Sequence, residues 1–98
     1  MGRRRLLITN GVKPRLRPHI HLRFNDLREA YCVLAPEHVY WPDDTSVAIL
    51  KKLDGARDVT AIIAELAAEY DAPADMVGPD VVEFLQTWAD ERLIGEAA

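Results

Sequence analysis

Ninety-eight residues with 49% apolar side chains suffice for one domain with a modest core. No apolar run approaches the roughly 20 residues that cross a bilayer. The positive start MGRRRLLITNG carries only Leu6, Leu7 and Ile8 as its apolar part, shorter than a secretory signal needs. Cys32 is the one cysteine, so no internal disulfide is possible, and a reducing, cytoplasmic setting is expected. The net charge of −4 is unevenly spread: residues 1–28 carry eight Lys/Arg and one acid, residues 29–98 four Lys/Arg and fifteen acids. A basic opening on an acidic body can steer a partner or pack against that body.

Residues 1–18 have no steady period and contain Gly11, Pro14 and Pro18. We read residues 1–13 as a flexible basic arm, with a short extended piece over Leu6–Thr9, and residues 14–98 as the domain. The period then becomes two. His19, His21 and Arg23 share one strand face, with Ile20, Leu22 and Phe24 on the other. Asn25-Asp26 opens a turn. Tyr31–Leu34 is a second strand, and Pro36 ends it. His38–Trp41 is a third, with Val39 and Trp41 on one face and His38 and Tyr40 on the other. The short connections predict an antiparallel meander.

Three helices follow. Asp43, Asp44, Thr45 and Ser46 are N-cap candidates for the first, which carries Val47, Ile49, Leu50 and Leu53 and closes at Asp54-Gly55. Asp58 or Thr60 caps the second, whose apolar stripe is Ile62, Ile63, Leu66, Ala67 and Tyr70. The third is expected over Asp80–Arg92, with Val81, Phe84, Leu85, Trp88 and Ala89 on one face and a break or kink near Gly78-Pro79; its start is ambiguous, since Asp75-Met76-Val77 could open it early with Pro79 inside. Leu93-Ile94 is read as a short extended tail. A three-stranded sheet cannot bury its apolar face alone, and three helices laid across it would do so. The fold class is therefore α+β: a three-stranded antiparallel sheet followed by a three-helix bundle.

Chemistry finds little footing. His19, His21, His38, Cys32 and Glu37 match no metal-ligand spacing, and Arg23 would oppose a cation. The acids are scattered over caps and exposed helix faces rather than paired for acid–base work. Cys32 lies within a strand with no histidine in a readable arrangement. No glycine-rich phosphate loop is present. A winged-helix DNA binder would also be built from such a sheet and three helices. Its recognition helix, however, would be TAIIAELAAEY or DVVEFLQTWADER, both acidic and repelled by phosphate.

A protein or peptide surface remains. If the third strand is a sheet edge, its main-chain donors and acceptors are free to pair with an incoming extended peptide. Trp41 and the flank of the third helix, including Trp88, would floor that site. An exposed edge also makes a homodimer possible.

The ordered set LRPHIHLRFN, YCVLAPEHVYWPDDTSVAIL, LDGARDVTAIIAELAAEY and DVVEFLQTWADERLI resembles the PqqD family of pyrroloquinoline quinone biosynthesis. The resemblance spans roughly residues 14–94. It implies a winged helix-turn-helix-like fold and a non-catalytic peptide chaperone without a cofactor. Such a chaperone binds the leader of a ribosomally made precursor peptide and presents it to a radical S-adenosylmethionine enzyme. That enzyme joins a glutamate and a tyrosine of the precursor. A related leader-recognition role in another modified-peptide pathway is the alternative; nucleic acid and membrane are not expected partners. In the family the precursor adds a strand beside the third strand and leans on the third helix. The implied peptide-binding residues are His38, Val39, Tyr40 and Trp41 on the strand and Val81, Leu85, Trp88 and Ala89 on the helix. Of these, Val39, Trp41, Leu85 and Trp88 are expected to line the groove. The family's LLYPE-G segment reads VLAPEH here, and Arg92 stands where a glycine usually precedes the last leucine.

Overall fold

The computed structural model describes residues 5–97. In chain order the elements are β1 (Pro14–Leu16), β2 (His21–Asn25), β3 (Ala30–Ala35), β4 (His38–Tyr40), α1 (Asp44–Leu50), α2 (Val59–Glu69), α3 (Ala74–Asp90) and β5 (Ile94–Glu96). Strands β2, β3 and β4 form the expected antiparallel sheet, in that spatial order. With the three helices it makes the winged helix-turn-helix-like α+β arrangement.

Turn chemistry fixes the meander. The Asn25 side-chain oxygen accepts the Arg28 N–H at 2.9 Å, and Glu29 takes a left-handed φ of 51° to re-enter β3. Pro36-Glu37 alone separates the paired residues Ala35 and His38, so β3 and β4 are joined by a two-residue hairpin. His19 does not lie on the strand, as the alternation had suggested. It sits in the preceding turn with φ 74°, and β2 begins at His21.

Both N-caps come from the predicted segments. Asp43 accepts the Ser46 N–H at 2.8 Å, and Asp58 accepts the Ala61 N–H at 2.8 Å. Helix α2 stops at Tyr70. Asp71, in the left-handed region, donates its N–H to the Ala68 carbonyl, and the Ala72 N–H reaches the Ala67 carbonyl. That pair of bonds is a Schellman stop, which satisfies two carbonyls the helix leaves open. Helix α1 ends earlier than read, at Leu50; Gly55 serves a different contact. Its φ is 75°, its N–H reaches the Pro14 carbonyl at 3.2 Å, and an added Cβ would lie 3.1 Å from that of Ala97.

Two further expectations need correction. Helix α3 begins at Ala74, not Asp80, and runs unbroken through Gly78-Pro79. Pro79 is its sixth residue, so the ring removes only the bond to the Asp75 carbonyl. Burial of Val81 and packing of Val77 on the same core hold the early turns in place. The second correction concerns the ends of the chain. Leu6–Thr9 form no strand, whereas β1 pairs antiparallel with β5, Pro14 opposite Glu96 and Leu16 opposite Ile94. This second sheet joins residues far apart in the chain, which no local period announces.

The described part of the arm runs along the helices. Ile8 and Val12 are buried in the main core with Ile49, Val59, Ile62, Leu66, Val81, Leu85 and Ile94. The Val12 and Asn10 carbonyls accept the N–H groups of Val59 and Thr60, two donors that the start of α2 would leave open. Gln86 accepts the Ile8 N–H at 3.0 Å and donates to the Leu6 carbonyl at 2.8 Å. Arg5 meets Asp90 with two 2.8 Å bonds. A second core cluster, Ile20, Val33, Leu50 and Leu93, lies under the three-stranded sheet. Phe84 and Trp88 of α3 touch both clusters and so seat that helix against the sheet.

Candidate functional site

Strand β4 pairs with β3 on one side; among the described residues nothing pairs with its other side. In a two-residue hairpin the residues flanking the loop are a hydrogen-bonded pair, and bonded and non-bonded pairs then alternate. Ala35–His38 and Val33–Tyr40 are the bonded pairs, by the register. The N–H and C=O groups of Val39 therefore turn toward the open edge; the strand ends at Tyr40, one residue before the expected Trp41, because the pairing with β3 stops there.

The register also settles the faces. Val33 is fully buried beneath the sheet, and Tyr40 stands directly opposite it, so Tyr40 and His38 face the helices. There they meet α3. The His38 and Tyr40 rings lie 4.4 Å apart between centroids, Tyr40 and Trp88 5.6 Å, and Phe84 and Trp88 5.0 Å. Each pair is tilted or edge-on, and the Tyr40–Trp88 and Phe84–Trp88 spacings lie within the range of favourable aromatic contact. Beside this row Asp80, Glu83, Phe84, Thr87 and Trp88 line an open cleft of about 300 Å³. Its floor is aromatic and one end is acidic.

The residues expected from sequence divide into three groups. Trp88 lines the cleft, with Ala89 half-buried next to it, while Tyr40 packs against Trp88 and His38 against Tyr40. Val39 contributes edge backbone, but, paired with Leu34, it turns its side chain to the opposite face of the sheet and is 43% exposed; Trp41 lies just past the strand, 42% exposed. Val81 and Leu85 lie in the core, 2% and 0% exposed, on the side of α3 that packs against α2. The helical period put these two on one face with Trp88; the wide apolar face of α3 covers both core and cleft. Phe84, which lines the cleft, was not among the residues expected from sequence. Its place one turn before Trp88 on the same stripe was the available signal.

The end of α3 sets Trp88 in place. Arg92, with φ 66°, donates its N–H to the Ala89 carbonyl at 2.9 Å, and the Leu93 N–H reaches the Trp88 carbonyl at 3.0 Å. This is again a Schellman stop, with buried Leu93 as its apolar anchor. Arg92 thus holds a left-handed position that glycine takes more freely. Among the described residues no group of three or more His, Cys, Asp or Glu is placed to hold a metal ion. No helix among them is long and apolar enough to cross a membrane.

Comparisons with known proteins bear on the family and the fold. Residues 30–94 match the family model described as "Coenzyme PQQ synthesis protein D (PqqD)". A "PqqA binding protein" of Rhodopseudomonas palustris (strain BisB5) is 43% identical over 97 residues, covering 99% of this chain and 95% of that protein. The solution structure of the PqqD part of Methylobacterium extorquens PqqCD is described as a functional, stand-alone recognition element for ribosomally synthesized, post-translationally modified peptides. It superposes with a TM-score of 0.72 at 35% identity, over 85% of this chain and 88% of that one. The crystal structure of PqqD from Xanthomonas campestris gives a TM-score of 0.55 at 35% identity, over 80% and 87%. With the family model spanning most of the domain and a relative matched almost end to end, this chain belongs to the PqqD family.

Proposed function

We propose that this chain is a non-catalytic peptide chaperone of pyrroloquinoline quinone biosynthesis. It binds the leader of a ribosomally made, PqqA-type precursor peptide along β4. It then presents that peptide, in the cytoplasm, to a radical S-adenosylmethionine enzyme. The chain needs no cofactor for this task. The observation that carries the reading is the open edge of β4 beside the aromatic flank of α3. Family membership supports it.

An incoming strand would bond to the backbone of Val39. Its alternate side chains would then fall into the cleft over Tyr40, Phe84 and Trp88, and over Val39 and Trp41 on the other face. A leader with an apolar side chain above Phe84 and Trp88 and a cationic one toward Asp80 and Glu83 fits best. Held by its leader, the peptide keeps its reactive segment free and at raised effective concentration near the enzyme. Val81 and Leu85 act from below, by holding α3 in position.

The test is a titration of isotopically labelled chain with precursor peptide, followed by backbone amide shifts. Saturable shifts at Val39–Trp41 and along Phe84–Trp88 are expected. Shifts confined to the β1–β5 sheet or to α2 would refute the edge model. The same titration at several chain concentrations separates peptide capture from pairing of two β4 edges in a homodimer.

A further inference from the structure

A second depression lies along α3. The end of α2 and the start of α3 leave a groove of about 240 Å³ beside α1, walled by Ile49, Leu66, Tyr70, Met76 and Val77. Ile49 and Leu66 belong to the main core, so the floor is apolar, while Tyr70 and Met76 stand 52% and 68% exposed on its sides. Exposed apolar side chains gathered around an apolar hollow, rather than scattered singly, mark a binding surface. Asp80 lines both this groove and the aromatic cleft, so the two depressions meet there. Thr45, the second residue of α1, lines it too, soon after β4 ends at Tyr40. Among the described residues no Lys or Arg lines either depression, and exposed Asp71 and Asp75 adjoin Tyr70 and Met76 in the chain. The margin is therefore acidic. Neither end of the described chain covers the groove: Arg5 meets Asp90 at the far end of α3, and Ala97 bonds to Lys13, near the start of α2.

From this continuity we propose that the groove is a second subsite for the leader, taking one large apolar side chain between Tyr70 and Met76. The proposal deepens the peptide-chaperone reading and rests on it. Small-molecule sites usually enclose about 300–1,000 Å³. The groove is smaller and suits one side chain of a longer ligand. A second copy would bring the same carboxylates against this acidic margin, whereas a cationic peptide complements it. Helix geometry sets the spacing. Asp80 stands four positions before Phe84 and Met76 eight, about 6 and 12 Å along the axis. An extended chain rises about 3.3 Å per residue, so along α3 these distances span about two and four residues of leader. Strand residues at i, i+2 and i+4 share one face. The leader class is thus an apolar residue over Phe84 and Trp88, a Lys or Arg two positions away at Asp80, and a second apolar residue two further at Met76.

The full-length precursor, unchanged and with each leader residue replaced by serine in turn, is titrated against the wild-type chain and Met76→Gln. Met76 is exposed, and thermal unfolding checks that the variant keeps the fold. Met76→Gln should weaken binding about tenfold, because an amide then faces an apolar side chain. Amide shifts at Val39 and Phe84–Trp88 should persist at saturation, while those at Tyr70–Val77 shrink. The serine scan should reveal two apolar anchors four positions apart with a Lys or Arg midway. The scan needs no change in the chain, so the test survives a misfolded Met76→Gln. A single anchor, or full affinity of folded Met76→Gln, overturns the second subsite and leaves the β4 edge standing. A wild-type chain that binds no precursor removes the edge reading as well. Loss of self-association by Met76→Gln in sedimentation, at full peptide affinity, assigns the groove to a second copy and also overturns the subsite.

Discussion

Leu85 and Trp88 sit three positions apart on α3 and have separable roles. Leu85 is fully buried, so Leu85→Ala leaves a cavity and should cost about 2–5 kcal/mol of stability. Peptide affinity per folded molecule should hardly change. Trp88→Ala should instead weaken peptide binding by about 1–3 kcal/mol, since it removes the aromatic floor against Tyr40. Thermal unfolding and peptide titration on both variants distinguish the two roles. Arg92 adopts a left-handed conformation that only glycine takes freely. Arg92→Gly should raise stability by about 0.5–1 kcal/mol, readable as a higher urea midpoint. The Asp43 carboxyl is held below its ordinary pKa, chiefly by the Ser46 backbone N–H. A lowered folded-state pKa contributes stability above the unfolded value of about 4 and loses it as pH falls through the folded one. Urea midpoints should drop on acidification below about pH 4, and Asp43→Asn, which keeps the cap without titrating, should drop less steeply.

At the scale of elements, β4 is three residues long and gains its meaning from what it lacks on one side. The alternation of bonded pairs makes Val39 the informative position. Val39→Pro removes an edge donor, spares the bonds to β3 and leaves the core face untouched. It should fold and lose peptide binding, as followed by fluorescence of labelled precursor. Affinity equal to wild type would mean that the peptide takes no hydrogen bond from that amide. Helix α3 works as a partition: one stripe, Val81 and Leu85, packs on α2, and the next, Phe84 and Trp88, meets the sheet. Its length matters for that reason. A helix beginning at Asp80 would lack Val77, and with it one of the contacts that anchor the helix to the main core.

At the scale of the molecule, two core clusters are bridged by Leu16, Leu53, Phe84 and Trp88. Residues 5–13 close the larger cluster from outside. Removing residues 1–13 takes away Ile8, Val12 and the Arg5–Asp90 pair. Burial of the two aliphatic side chains is worth about 1.5–3 kcal/mol each. Small domains keep only about 5–15 kcal/mol in all. The truncated chain is therefore expected to unfold at markedly lower urea and to bind peptide only where it remains folded. Wild-type stability after the truncation would return these residues to the status of a separate arm.

The meander, the segments that supply both N-caps and the three helices were legible in the sequence, because each rests on a short-range rule: a period of two, a capping side chain, a turn; the edge at residues 38–41 entered only as a condition. The resemblance to the PqqD family rested on the same local segments. What stayed hidden was set by contacts between distant parts of the chain. The pairing of Pro14–Leu16 with Ile94–Glu96 has no local signature, nor does the burial of Ile8 and Val12 behind a basic start. The split of one apolar helix face into core and cleft was equally unreadable. Periodicity tells which side chains leave the water together; only the packed structure decides which partner each of them meets.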